Sequence, residues 1–238
     1  MLEINNIHTF RGPAHILHDV SLSIREGEVV CLVGRNGAGK TTTMESIMGF
    51  LPVKSGQIVF HGEDVTGLPV HQRARRGVGY SPEGCEIFPE LTVDENLKIS
   101  QWMSKGAHRK LGAAGGDVME RVFSVFPEVK DLLGREGLNL SGGQRKMVAI
   151  ARAMALGPTL LLLDEAFEGL APVVIGRFRD AMAKIKELGI SLLIAESNLV
   201  NAAEIAHRLY AIDRGEIIFE GDPDDALKDD RVMKALRG

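Results

Sequence analysis

The chain has 238 residues, and 28 Lys and Arg against 32 Asp and Glu give it a formal net charge of −4. With 45% hydrophobic and 25% charged residues, the composition is typical of a folded globular protein and argues against a disordered one. The mild acidity gives no support to a nucleic-acid-coating protein. Glycine occurs 27 times in 238 residues, which is well above the average share of about 7%. Because the glycines follow no fixed period, they indicate tight turns and close approach of the backbone to a ligand.

Short strand-like and helix-like segments alternate along most of the sequence. Apolar runs and period-2 patterns predict strands at residues 2–10, 16–24, 28–33, 56–60 and 78–81, with a helix beginning at Lys40. Further elements are predicted at 160–163, 172–188, 191–195, 199–206, 208–212 and 217–220, with a turn at Arg214-Gly215 and a last helix from Pro223 capped by Asp222. Strands that alternate with helices indicate an α/β domain.

The middle of the chain is predicted to be helical. Thr92 is a suitable N-cap, since acidic residues occupy the first turn that follows it. Two more helices are predicted at 117–126 and 142–156, and residues 105–116 between them are predicted to form a loop. A helical insert therefore interrupts the α/β domain.

A phosphate-binding loop is the most specific motif. The residues that match G-x-x-x-x-G-K-[ST] are Gly34, Arg35, Asn36, Gly37, Ala38, Gly39, Lys40 and Thr41, followed by Thr42. A buried strand precedes this segment and a helix follows it, which a glycine-rich hairpin with a chance lysine would not explain. Backbone N–H groups and the helix N-terminus would surround a phosphate, Lys40 would neutralise it, and the Thr41 hydroxyl would bind Mg²⁺.

A second element of the site is the acidic pair that ends an apolar strand. Four leucines precede Asp164 and Glu165, so both acids would lie at the carboxyl end of a buried strand, near the phosphate loop. We expect Asp164 to hold Mg²⁺ and Glu165 to act as general base on the attacking water. Strand ends often carry acids, and the pair is specific only in combination with the phosphate loop.

The segment LSGGQ places the protein in a class. Ser141 can cap the next helix, and the glycines leave the first N–H groups of that helix open to a phosphate. The residues concerned are Ser141, Gly142, Gly143 and Gln144, which follow Leu140. With LSGGQ placed before LLLLDE, essentially the whole chain resembles the ATP-binding-cassette (ABC) family.

The resemblance implies a fold, a dimer and partners. It implies one cassette domain, with a RecA-like P-loop core and N-terminal antiparallel β-subdomain at residues 1–88 and 157–238, and a helical signature subdomain at about 89–156. Two cassettes, identical or different, would dimerise head to tail, so that each LSGGQ covers the γ-phosphate of ATP on the other chain. Phe10 would stack on adenine, although a core or surface role is nearly as well supported. The insert would receive a membrane permease subunit.

Within the family, the sequence is most similar to the ATP-binding subunits of branched-chain amino-acid importers. The segments that carry this similarity are GRNGAGKTTTMESIMGFLPVKSGQIVFHGEDVTGLP, SPEGCEIFPELTVDENL and LLLLDEAFEGLAP. The similarity implies a cytoplasmic subunit, peripheral on the inner face of the plasma membrane, that serves a periplasmic or extracellular solute-binding protein indirectly. Because a cassette does not touch the cargo, amides, urea or aromatic acids remain alternatives to branched-chain amino acids.

Two phosphate-site positions depart from the family pattern. Glu83 stands where the family usually has Gln; a carboxylate can still approach Mg²⁺ or the attacking water, and the importer subgroup tolerates it. Ser197 stands where the family commonly has a His that contacts the γ-phosphate. Its shorter, uncharged side chain would act through a water molecule. We therefore expect Glu165 alone to carry the general-base role, with slow but real turnover.

The loop after the acid pair also departs from the pattern. It reads Ala166-Phe167-Glu168-Gly169-Leu170, where the family usually has Pro-Ser and an apolar residue. Phe167 would pack either in the dimer interface or in the core of its own chain.

Two other functions remain as alternatives to a transport ATPase. One is a non-transport cassette in regulation or nucleic-acid metabolism; the single cassette, ordinary insert and lack of a basic tail argue against it, and no nucleic-acid partner is expected. The other, motivated by Glu83 and Ser197, is a nucleotide-binding module without useful hydrolysis, which the intact Lys40, Asp164 and Glu165 argue against.

Overall fold

The computed structural model describes residues 1–104 and 117–237, so the loop predicted at 105–116 lies outside the described residues. The strands are β1 (Leu2–Arg11), β2 (Ala14–Ile24), β3 (Val29–Val33), β4 (Val53–Phe60), β5 (Glu63–Asp64), β6 (Val78–Ser81), β7 (Leu160–Asp164), β8 (Ser191–Glu196), β9 (Arg208–Asp213) and β10 (Glu216–Gly221). The helices are α1 (Lys40–Met48), α2 (Val70–Arg75), α3 (Val93–Ser104), α4 (Val118–Val125), α5 (Glu128–Leu132), α6 (Gly142–Met154), α7 (Pro172–Glu187), α8 (Leu199–Ala203), α9 (Pro223–Ala226) and α10 (Asp230–Arg237), with a 3-10 turn at Gly137–Asn139.

Two sheets form the framework. The first is antiparallel in the order β2-β1-β4-β5, and the second has the order β10-β9-β3-β8-β7-β6. In the second sheet β3, β6, β7, β8 and β9 run parallel, and β10 pairs antiparallel with β9 at the edge. Every residue of β3, β7 and β8 is buried, as expected for parallel strands covered on both faces. The predicted α/β class, N-terminal antiparallel sheet and helical insert are confirmed.

Alternate residues of β3 enter two hydrophobic clusters. Val30 and Leu32 pack with the N-terminal sheet and α1, whereas Val29, Cys31 and Val33 pack with the helices on the opposite face. The second cluster includes residues of α3, α4 and α6, so the insert shares a continuous core with the sheet. In the described part of the chain, no helix is long and apolar enough to span a membrane.

The predicted elements occur, with small changes in their ends, and several short elements were not predicted. The missed elements are β5, α2, α5, the 3-10 turn and α10. All of them except α10 have six residues or fewer, which is too short to show a clear period. Helix α10 is amphipathic, and its helical period was not used in the prediction. Helix α8 ends at Ala203, three residues before the predicted end. Thr92 caps α3 as predicted: its hydroxyl accepts from the Glu95 N–H at 3.2 Å, and the Glu95 carboxylate accepts from the Thr92 N–H at 2.8 Å.

Candidate active site

The phosphate loop lies between the end of β3 and the start of α1. Gly39 precedes the helix with φ +117°, and no side chain caps the helix N-terminus. At Gly34, a Cβ would lie 2.6 Å from the carbonyl oxygen of Ile212, so a side chain there would collide with backbone. The loop therefore needs glycine at both positions. It also leaves the N-terminus of α1 uncapped and available to bind an anion.

A cavity of about 400 Å³ opens on this loop. Its lining residues are Arg11, Ile16, Asn36, Gly37, Gly39, Lys40, Thr41, Thr42, Glu83 and Glu165. The structure thus brings Glu165, and Glu83 from the loop after β6, to the phosphate loop. Of the other predicted loop residues, Gly34 and Arg35 face Lys40 through their carbonyl groups, and Ala38 is buried.

Lys40 is the cation of the cavity. Its Nζ donates to the carbonyl oxygens of Gly34 at 2.7 Å and Arg35 at 3.1 Å, and to Ser197 Oγ at 3.1 Å. Glu165 Oε1 lies 3.0 Å from the same nitrogen. The buried ammonium therefore contacts four oxygen atoms, which satisfies the hydrogen-bonding need of a buried charge.

Glu165 is held by Ser197 as well as by Lys40. The Ser197 hydroxyl donates to Glu165 Oε1 at 2.6 Å, and the Ser197 N–H donates to Oε2 at 3.2 Å. Ser197 Oγ also lies 3.0 Å from Asn36 Oδ1, so its single proton is shared between two acceptors. Ser197 thus contacts the predicted general base directly. The sequence had predicted only that Ser197 acts at the phosphate, through a water molecule.

Asp164 lies against Thr41, as expected for a shared cation site. Burial, together with the charges of Glu165 and Glu83, raises the pKa of Asp164 to about 6, although the nearby Thr41 hydroxyl and the charge of Lys40 act to lower it. Asp164 Oδ2 accepts from the Tyr80 hydroxyl at 3.5 Å, while Oδ1 has no hydrogen-bond partner in the described structure.

These groups fit Mg²⁺. A buried carboxylate with a free oxygen, beside a threonine hydroxyl, matches the few protein ligands that Mg²⁺ takes when phosphates and water supply the rest. The described residues contain no group of three or more His, Cys, Asp or Glu that could hold a metal.

Glu83 lies in the loop after β6, at the junction of three cavities. It is exposed, and it lines the phosphate-loop cavity, a smaller one of about 220 Å³ beside Asp164, and a groove of about 620 Å³ along the insert. It therefore borders both the phosphate site and the groove.

The LSGGQ segment lies at the N-terminus of α6, away from the phosphate loop of its own chain. Ser141 and Gln144 form a reciprocal cap, in which the Gln144 N–H donates to Ser141 Oγ at 3.3 Å and the Ser141 N–H donates to Gln144 Oε1 at 2.9 Å. Gly142 lines the insert groove, and none of the four signature residues lines the phosphate-loop cavity.

Phe10 and Phe167 lie outside the cavity. Phe10 stacks on His15 with ring centroids 4.2 Å apart, and its neighbour Arg11 lines the cavity instead; adenine stacking stays a prediction. Phe167 is 3% exposed in the main cluster, and its N–H donates to Glu196 Oε1 at 2.9 Å. Phe167 was predicted to pack either in the dimer interface or in the core of its own chain, and it lies in that core.

Three residues near the site were not predicted from the sequence. Arg11 lines the cavity and is ion-paired with Glu45, Tyr80 contacts Asp164, and Lys146 donates to the loop that contains Glu165. Their partners are distant in sequence, and no local sequence pattern marks these three residues. For Lys146, burial alone could have been suspected, because the LSGGQ helix has an apolar face.

Known proteins resemble the chain along nearly its whole length. The sequence matches the ABC transporter family over residues 17–168. The lipopolysaccharide export system ATP-binding protein LptB of Haemophilus influenzae is 36% identical and covers 94% of this chain and 91% of its own. The high-affinity branched-chain amino acid transport ATP-binding protein BraG of Pseudomonas aeruginosa is 33% identical over 100% of both chains.

A solved structure agrees. The ADP conformation of MJ1267, an ATP-binding cassette of an ABC transporter, matches with a TM-score of 0.84 at 28% identity and covers 100% of this chain and 98% of that one. Together with the two sheets and the arrangement of Lys40, Asp164 and Glu165, these matches identify the family. The chain therefore belongs to the ABC transporter family, as one of its ATP-binding, ATP-hydrolysing subunits.

Proposed function

We propose that this subunit binds ATP at the phosphate loop, hydrolyses it with Glu165 as general base, and energises an ABC importer for branched-chain amino acids or related small polar solutes. The observation that carries the nucleotide site is the convergence of Lys40, Thr41 and Glu165 on one cavity beside Asp164. In this proposal residues 1–88 and 157–238 form the nucleotide-binding core, and about 89–156 form the signature subdomain.

Binding begins with an exchange of partners at Lys40. The β- and γ-phosphates are stronger partners for an ammonium than backbone carbonyls are, and the first residues of α1, whose N-terminus no side chain caps, line the same cavity. Lys40 then moves from Glu165 to the phosphates. This exchange leaves the Glu165 carboxylate free to accept a proton from the attacking water.

Thr41 and Asp164 would hold Mg²⁺, with Glu83 close enough to approach it or the attacking water. When bound, the cation neutralises charge that develops on the β- and γ-phosphate oxygens. Asp164 supports this role because one of its buried oxygens has no partner. A cation would lower the pKa of Asp164, which burial now raises.

The position of LSGGQ supports a head-to-tail dimer. Ser141 and Gly142 are exposed, and the segment does not reach its own phosphate cavity. In a dimer, the N-terminus of α6 would complete the phosphate site of the other chain. We propose either an identical chain or a sister subunit as the partner, with membrane permease subunits docked on the insert and the subunit held at the inner face of the plasma membrane.

The direction of transport and the cargo rest on sequence similarity. The segments PEGCEIFPELTVDENL and GLAP, and the end-to-end match to BraG, support an amino-acid importer. The identity of 36% to LptB supports lipopolysaccharide export as a second candidate. Neither relative favours a nucleic-acid partner.

Reconstitution tests these two functions. Membrane subunits captured with the tagged chain would be placed in proteoliposomes with their solute-binding protein, and ATP-dependent uptake of labelled leucine would be measured. We expect uptake with wild type and none with the Lys40→Met variant. ATPase activity stimulated by lipopolysaccharide, without leucine uptake, would favour export; capture of no membrane subunit would contradict both.

A further inference from the structure

Lys146 in α6 is a buried lysine with an unusual set of partners. The residue is 8% exposed. Its Nζ donates to the carbonyl oxygen of Glu165 at 2.5 Å and to that of Glu168 at 2.7 Å. Because a buried ammonium is costly unless it is hydrogen-bonded, this contact fixes Lys146 on the backbone of the loop that contains the proposed general base.

The backbone of Glu165 needs such support. Its φ of +49° is in the left-handed region, which a residue with a side chain occupies only when the surroundings hold it there. The Glu165 N–H donates to the Ala195 carbonyl at 2.9 Å, and the Glu165 carbonyl accepts from Lys146. Both peptide groups of Glu165 are therefore tied to other elements, one to β8 and one to α6.

The rest of the loop is held from the opposite side. Glu196, at the end of β8, accepts the Phe167 N–H, so the loop from Glu165 to Glu168 is fixed between α6 and β8. The charge of Lys146 also acts on Glu196, opposing the effect of burial on the pKa of that carboxyl. Lys146 and Glu196 thus brace one short loop from two elements.

We propose that Lys146 is a positioning residue for Glu165: it sets the backbone from which the general base projects, and it ties that backbone to the LSGGQ helix. The proposal rests on the proposed role of Glu165 in hydrolysis. Lys146 does not line the phosphate-loop cavity, so it acts on catalysis without contacting the nucleotide.

Through this contact, Lys146 connects the insert groove to the backbone of Glu165, the proposed general base. Lys146, Glu168 and Glu83 line the groove of about 620 Å³. A molecule seated there would lie against Lys146 and the loop that Lys146 holds. Movement of α6 relative to the core would move the Glu165 backbone with it.

The test compares Lys146→Met, which keeps the apolar stem and removes the ammonium, with Lys146→Arg, which keeps donors for the carbonyls. Lys98→Met removes an exposed ammonium of the same insert and is the control. We expect Lys146→Met to lower kcat about 100-fold, with the KM for ATP within about twofold of wild type, and Lys146→Arg to recover a large part of kcat. Hydrogen exchange in the protein without nucleotide should be faster at residues 165–168 in Lys146→Met alone.

The outcomes separate the role of Lys146 from the function of the site. Unchanged exchange at 165–168 in a folded Lys146→Met protein overturns the proposal, as does a parallel loss of kcat and ATP affinity, which would indicate a general structural role. If wild type itself did not hydrolyse ATP, the role of Glu165 as general base would fail, and the exchange measurement would still decide whether Lys146 fixes the loop.

Discussion

Lys40 Nζ lies 3.0 Å from Glu165 Oε1, and the two side chains are only 5% and 6% exposed. The residue that would bind phosphate is thus paired with the residue that would activate water. In the proposed mechanism, an ammonium drawn to phosphate loosens its hold on Glu165, so nucleotide binding would also release the general base.

Glu165→Gln should separate binding from hydrolysis. The amide cannot accept the proton of the attacking water, so we expect kcat to fall by 10²-fold or more. It also removes the competing charge from Lys40, so the affinity for ATP should be equal to or higher than that of wild type. Steady-state hydrolysis and binding of a fluorescent ATP analogue measure the two effects. Glu187→Gln, an exposed change at the end of α7, is the control, and wild-type turnover in Glu165→Gln would exclude Glu165 as the base.

Removing only the lysine should destabilise the fold. Lys40→Met leaves Glu165 buried without its cation, and breaking a buried pair in this way costs about 3 to 5 kcal/mol. Because neither charge of this pair remains in Lys40→Met/Glu165→Gln, the double variant should recover much of the loss. Urea unfolding of the wild type, both single variants and the double variant measures the coupling. Strict additivity of the two single effects would show that the pair is not coupled.

Local sequence patterns predicted those site residues that lie at the ends of regular strands and helices. Lys40 and Thr41 follow from a strand, a glycine-rich turn and a helix, and Asp164 and Glu165 from four apolar residues that bury β7. Lys146 could not be predicted in this way. Its partners lie 19 and 22 residues further along the chain, and their carbonyl groups carry no residue-type signal.

The fold shows the same division. Buried strands such as β3, β7 and β8 are continuous apolar runs and were predicted from them. Helix α2 was missed as an element because it has only six residues, and its Arg73, which was expected at a solvated helix end, is buried and bonded to backbone carbonyls. Its guanidinium donates to carbonyl groups that come close only in the folded chain, and sequence periodicity cannot reveal such contacts.

Ser197→Ala should affect turnover more than binding. The hydroxyl donates to Glu165 at 2.6 Å, so its loss leaves the carboxylate less well oriented, and we expect kcat to fall about 10-fold with little change in the KM for ATP. Ser124→Ala, an exposed hydroxyl distant from the cavity, is the control. A rise in KM with kcat unchanged would show instead that Ser197 contributes to nucleotide binding.

Glu196→Gln should change how stability depends on pH. Burial raises the pKa of Glu196 to about 7, above the value of about 4.3 for an unfolded glutamate. The folded state therefore holds this proton more tightly, and it loses up to about 4 kcal/mol of stability relative to the unfolded state as pH rises between these two values. The glutamine amide oxygen can still accept the Phe167 N–H, so the variant keeps the contact without the charge. We expect its Tm to exceed that of wild type by more at pH 8 than at pH 5, whereas the exposed Glu216→Gln control should show the same difference at both. An equal gain for Glu196→Gln at both pH values would show that the buried carboxyl does not titrate in this range.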